Sequence, residues 1–252
     1  MATYRELTSK SYRATQRDRV VATARKISSR SNLRPGRVIP GADDLAIHEG
    51  RFLNAAVLFL DISGFTGRPQ ETRDQQEQLL QGLSLFFTEA IRVVEDFGGV
   101  VEKNTGDGLM AYFVREADED ASKEVRSLTA AITLFDAMSG GPDAPLNNEL
   151  WNFGVEPFRF RICIDSGPLT VAKMGAAQRF NGVVAIGTTA NLACKMLNVA
   201  QAGEIMIGNN VANSLPEDWR QYLARSDHET GYHYTLTGLP YYYWYYTGRW
   251  MS

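Results

Sequence analysis

The chain has 252 residues with 44% apolar and 22% charged side chains, ordinary globular usage that excludes a fibrous or wholly disordered chain. Its net charge of −3 hides an asymmetry. Residues 1–40 hold ten Lys/Arg against two acids, a segment of +8 that leaves −11 on the remainder. The longest apolar run, Ala55–Leu60, falls far short of the ~20 residues that a membrane span needs. The N-terminus lacks an apolar secretory core, so a cytoplasmic protein is expected. Cys163 and Cys194 are too few for a disulfide framework, and both sit among apolar residues as small hydrophobes.

In chain order, residues 1–45 read as a basic arm with one helix near Tyr12–Ser28, ended by the breaker cluster Ser31-Asn32-Leu33-Arg34-Pro35-Gly36. Its two tyrosines, Tyr4 and Tyr12, do not make an aromatic platform interleaved with the charges, so nucleic-acid binding is disfavoured. Residues 46–252 form the main domain. Ala55–Leu60 is a buried central strand ending at Asp61. Leu79, Leu80, Leu83, Phe86, Phe87, Ala90, Ile91 and Val94 recur at three and four and predict a helix over Arg73–Phe97, stopped by Gly98-Gly99. Val100–Lys103 and Leu109–Phe113 flank Asp107-Gly108 and predict a hairpin. Ala121, Val125, Leu128, Ile132, Phe135 and Met138 line one face of a second helix, and Gly140–Leu146 reads as a loop. Then come a strand ending at Asp165, a strand near Leu169–Met174, a helix near Thr189–Ala200, a strand at Glu204–Ile207 and an aromatic edge strand at 241–246. This order predicts an α+β, ferredoxin-like βαββαβ sandwich with a mostly antiparallel sheet.

Two aspartates close strands on this plan. Asp61 ends the buried strand and Asp107 sits in the hairpin turn, so neighbouring strands would bring the carboxylates together. Paired carboxylates bind hard divalent cations, and two such ions suit phosphoryl chemistry. Gly64 and Gly106 let backbone amides approach a phosphate. Taken singly, each aspartate also reads as an ordinary strand-end or turn residue.

Phe59-Leu60-Asp61-Ile62-Ser63-Gly64-Phe65-Thr66 resembles the F-x-D-I-x-G-F-T signature of class III nucleotide cyclase domains. Lys103-x-x-Gly106-Asp107 resembles that family's K-x-x-G-D hairpin, and Gly187–Met196 its G-x-x-V-N-x-A-x-R-M helix. The resemblance implies that Asp61, Asp107 and the Ile62 carbonyl hold two divalent cations, Mn²⁺ or Mg²⁺. The amides of Gly64, Phe65 and Thr66 would hold the triphosphate of a nucleoside triphosphate. It also implies a homodimer with shared sites, in which Asn191 orients the ribose and Lys195 stabilises transition-state charge from the second chain. Lys195 stands where the family carries arginine, and Thr237 where it carries a triphosphate-binding lysine. Lys103 matches a base-reading lysine, but its polar partner is replaced by Val184. His48, His228 and His233 lie outside all three motifs.

The altered base pocket, in a chain without a fused sensor or membrane domain, resembles the stand-alone pyrimidine cyclases of bacterial Pycsar anti-phage systems. That resemblance implies conversion of UTP to cyclic UMP and a separate cyclic-nucleotide-activated effector. The alternatives are an adenylate cyclase that tolerates Val184 and a catalytically silent cyclase-homology module.

Overall fold

The computed structural model describes residues 32–104, 106–115, 121–139, 145–174 and 183–249. The helix expected at Tyr12–Ser28 lies outside them. The elements are β1 (Asn32–Pro35), β2 (Glu49–Ile62), α1 (Arg73–Asp96), β3 (Gly99–Asn104), β4 (Gly108–Val114), α2 (Lys123–Ser139) and α3 (Pro145–Asn152). They continue as β5 (Phe160–Lys173), β6 (Val183–Ile186), α4 (Thr188–Met196), β7 (Ile205–Gly208), α5 (Asn209–Ser214), α6 (Glu217–Arg220), β8 (Leu223–Arg225) and β9 (Tyr243–Tyr246). One sheet runs β3-β4-β2-β5-β7-β9-β8, with β1 added to β2 and β6 to β5. Among the described residues only β1–β2 and β5–β7 pair in parallel. The stretch β2-α1-β3-β4-α2-β5 is the expected βαββαβ unit, and the α+β fold is as the sequence predicts.

The centre is the long antiparallel pair β2–β5, in register from Gly50↔Ala172 to Ile62↔Phe160. Side chains alternate across it. Ala56, Leu58, Leu60 and Ile62 enter one core beneath α1 and α2, with Phe86, Phe135 and Phe160. Phe160 stacks on Phe135 at 4.4 Å and meets Phe86 edge-on at 5.4 Å. Leu53, Ala55 and Val57 enter a second core beneath α4, with Cys163, Leu192 and Met196. Burial on both faces explains why β2 reads as an unbroken apolar run rather than an alternation. The α1 start is set by Thr72, whose hydroxyl accepts from the Gln75 amide while Gln75 reaches back to the Thr72 amide.

Several expectations need correction. The two strands expected on either side of Ser166-Gly167-Pro168 are one strand, β5. These residues look like a turn but are polar for another reason. Ser166 Oγ donates to Glu124 on α2, and the Ser166 carbonyl accepts from Asn210 Nδ2 on α5. The aromatic segment is not an edge: β9 lies between β7 and β8, and the three-residue β8 is too short to show periodicity. The loop expected at Gly140–Leu146 runs into α3 at Pro145. The breaker cluster contains β1, so residues from Asn32 on, within the segment read as the arm, pair with the sheet. Cys163 is buried as expected, but Cys194 lies exposed on the outer face of α4.

Beneath α4 lies Asp165, fully buried on β5. Its Oδ1 accepts from the Tyr241 hydroxyl and the Ser166 amide. Gly208 makes this possible, because a Cβ there would stand 2.3 Å from Asp165 Oδ1 and 2.6 Å from the Tyr241 oxygen. Burial pushes the Asp165 carboxyl up to about 7, against the two hydrogen bonds that favour its charged form. A raised acid binds its proton more tightly folded than unfolded, so stability should fall as pH rises from about 4 to about 7. Asp165→Asn removes that slope. Urea unfolding at about pH 5 and pH 8 should show the variant gaining stability on the parent at the higher pH, by an amount on the order of a few kcal/mol. An unchanged pH slope would exclude this assignment.

Candidate active site

The end of β2 brings the two aspartates together. Asp61 lies opposite Gly108 on β4 and opposite Arg161 on β5. One residue on, the Ile62 amide donates to the Asp107 carbonyl at 2.8 Å. The hairpin turn is thereby fastened to the strand end. Asp61 continues the row Leu53, Ala55, Val57 and Phe59, so it emerges on the α4 side of the sheet, while Ile62 is buried on the other.

Beyond Asp61 the chain turns sharply. Gly64 takes the left-handed conformation at φ 70°, which favours glycine. The Ser63 amide donates to the Arg159 carbonyl, and the Gly67 and Arg68 amides close a short 3₁₀ turn on the Gly64 and Phe65 carbonyls. Phe65 packs against the α1/α2 core and anchors the turn. Arg68 clamps its far end, donating to the Glu156 and Pro157 carbonyls at 2.7 and 3.0 Å and lying 4.4 Å over the Phe158 ring.

Arg161 is the residue that sequence reasoning missed. Its Nε and Nη2 both donate to Asp61 Oδ2, at 2.9 and 2.7 Å, and Nη1 donates to the Ala200 carbonyl just after α4. In sequence it is merely the polar member of an alternation, and only the β2–β5 register places it against Asp61. The fork engages one carboxylate oxygen and leaves Oδ1 to another partner.

This donor set fits a hard divalent cation. It offers Asp61 Oδ1, the half-buried Asp107 and a main-chain carbonyl at Ile62, all oxygens. Among the described residues no group of three or more His, Cys, Asp or Glu could hold a metal alone. Mg²⁺ characteristically takes one or two carboxylates and completes its shell with water and substrate phosphates.

The other predicted residues lie elsewhere. Lys103 is placed by its main chain on β3 opposite Met110, which in turn faces Phe59 near the same sheet end. Val184 pairs with Ala172, eleven residues along β5 from Arg161 and about 36 Å of strand path away. Its neighbours Val183 and Ala185 pack against the α4-side core, so Val184 faces the other way. Asn191 and Lys195 are exposed on the outer face of α4, whose inner face buries Thr189, Ala190, Leu192, Ala193 and Met196. Thr237 is exposed in the tail segment. His228 stacks on Tyr243 and His233 bridges to Pro240, so neither joins the carboxylates.

Residues 47–233 match the family described as the adenylate and guanylate cyclase catalytic domain. The chain is 24% identical over 201 residues to "Uridylate cyclase" of Gulbenkiania mobilis, across 79% of this chain and 77% of that one. It is 26% identical over 159 residues to "Cytidylate cyclase" of Staphylococcus aureus, across 61% of this chain but only 36% of that protein. Among solved structures it resembles the guanylyl cyclase Cya2 (TM-score 0.64, 18% identity, 80% of this chain and 95% of that one). It also resembles the adenylyl cyclase CyaB from P. aeruginosa (TM-score 0.61, 22% identity, 80% and 97%). The family match covers well over half of the sequence and contains the Asp61–Asp107 strand end. The chain belongs to the class III adenylate and guanylate cyclase catalytic domain family.

Proposed function

We propose that the protein is a pyrimidine nucleotide cyclase that converts UTP to 3′,5′-cyclic UMP and diphosphate, acting as a homodimer and signalling to a separate effector in antiviral defence. The carrying observation is the fastening of Asp107 to Ile62 beside Asp61, which sets two carboxylates at one sheet end. The pyrimidine preference rests on Val184 and on the likeness to relatives named uridylate and cytidylate cyclase.

In the reaction the ribose 3′-oxygen attacks the α-phosphorus, a new phosphorus–oxygen bond forms, and diphosphate leaves with the electron pair of the broken one. Two divalent cations, Mn²⁺ or Mg²⁺, held by Asp61, Asp107 and the Ile62 carbonyl, would acidify the 3′-hydroxyl and neutralise triphosphate charge. The turn at Gly64, Phe65 and Thr66 presents main-chain amides to the triphosphate. Arg161 keeps the Asp61 carboxylate in one orientation through its fork. Asn191 orients the ribose, and Lys195 places a point charge where the phosphate turns anionic. Both face outward from α4, away from the sheet that carries Asp61, so they serve the site of a second copy.

The assignment of base choice to Lys103 and Val184 rests on the family resemblance of those two positions. An adenine amino group against the apolar Val184 would go unpaired, at about 1–3 kcal/mol or roughly 5- to 150-fold in rate. Uracil is smaller and offers O4 as an acceptor for Lys103, where cytosine carries an amino group.

Three outcomes are expected. Asp61→Asn and Asp107→Asn should each lower cyclisation by at least about 100-fold at saturating Mn²⁺ while leaving the fold intact, as read by circular dichroism. Near-parental turnover in either removes the cation assignment. Mixing inactive Asp107→Asn with inactive Asn191→Ala should restore activity through one intact mixed site. No recovery, with heterodimers shown to form by mass, argues against shared sites. Val184→Asp should narrow the UTP-to-ATP ratio of kcat/KM by roughly tenfold, and an unchanged ratio would detach Val184 from base selection.

A further inference from the structure

The side of α4 toward the tail segment holds a chamber of about 380 Å³, walled in part by Thr237, which puts a neutral hydroxyl where the family carries a triphosphate-binding lysine. Asp165 on β5, Thr188 on α4, Asn210 on α5 and Tyr232, Tyr234 and Tyr241 line it. Its volume is in the range of ordinary small-molecule sites.

The chemistry of its lining is one-sided. Asp165 is its only carboxylate, and no Lys, Arg or His among the described residues lines it. Asp165 is fully buried, and its Oδ2 has no hydrogen-bond partner although Oδ1 has two. The other polar groups near it are spent on one another. Tyr241 donates to Asp165 and accepts from the Asn210 amide, while Tyr234 donates to Asn210 Oδ1 and accepts from Asn209 Nδ2. The rings of Tyr232 and Tyr234 stand 5.5 and 5.2 Å from that of Tyr241, so the walls are aromatic faces and edges.

A buried carboxylate without a cation is costly, and aromatic faces attract positive charge. A triphosphate or any other anion would be repelled. We propose that this chamber binds a small organic cation, a protonated amine carried on an apolar or aromatic body, with its ammonium group directed at Asp165. The ionisable groups facing Asp165 are tyrosines, Tyr234, Tyr241 and Tyr243, which burial pushes above the usual tyrosine range and so holds neutral; none of them supplies a positive charge. Burial raises the carboxyl itself, and an ammonium group beside it would draw it back toward its charged form.

Calorimetric titration of the full-length protein, without nucleotide, tests this with three matched probes: phenethylammonium, 2-phenylethanol and phenylacetate. Saturable binding of phenethylammonium is expected, with 2-phenylethanol at least roughly tenfold weaker and no binding of phenylacetate. Asp165→Asn should bring the ammonium and the alcohol to equal affinity, and Tyr232→Ala, at the half-buried rim, should weaken the ammonium by at least roughly fivefold. The second variant carries the test if the first does not fold. Failure of phenethylammonium to bind, equal binding of phenylacetate, or an ammonium preference that survives both substitutions would overturn the proposal. Because no nucleotide is present, any of these results stands apart from whether the protein cyclises UTP.

Discussion

The hydrogen bond from the Ile62 amide to the Asp107 carbonyl fixes the arrangement on which the proposed chemistry depends. It ties the last residue of the central strand to the turn of the β3–β4 hairpin, so that two acidic side chains leave the sheet at one end. Most of the core serves this placement. β2 is buried on both faces, clamped by β4 on one side and β5 on the other, and a slip of one residue would turn Asp61 into the α1/α2 core. The turn that follows is held as firmly, by Phe65 in the core, by Ser63 on Arg159 and by Arg68 on the 156–157 segment.

Charge balance at that strand end has a built-in compensation. Two carboxylates at one place repel, and a nearby cation eases the strain. Arg161 supplies it from the neighbouring strand and also ties the site to the carbonyl after α4. The end of the helix that carries Asn191 and Lys195 is therefore linked to Asp61 through one guanidinium, even though these two side chains are exposed on its outer face. Asp165 is linked in the same way, at the other end of α4, to the tail segment through Tyr241.

Local features were legible in the sequence, and pairings between distant segments were not. The run ending at Asp61, the α1 periodicity and the Asp-Gly turn each declare themselves within a few residues, and the structure keeps all three. Arg161 could not be recognised that way, because its partner is 100 residues away and only strand register joins them. The same holds for Asp165 and Tyr241, 76 residues apart. β5 was misread as two strands because buried polar residues imitate a turn when their partners on α2 and α5 are unknown. The outward placement of Cys194 escaped because α4 alternates apolar and polar residues too closely over nine positions for its faces to be told apart.

The most direct measurement is identification of the product when the purified protein meets ATP, GTP, CTP and UTP together with Mn²⁺. Cyclic UMP in excess of every other cyclic nucleotide is the expected result. Cyclic AMP as the main product, or no cyclic nucleotide at all from a folded dimer, would contradict it.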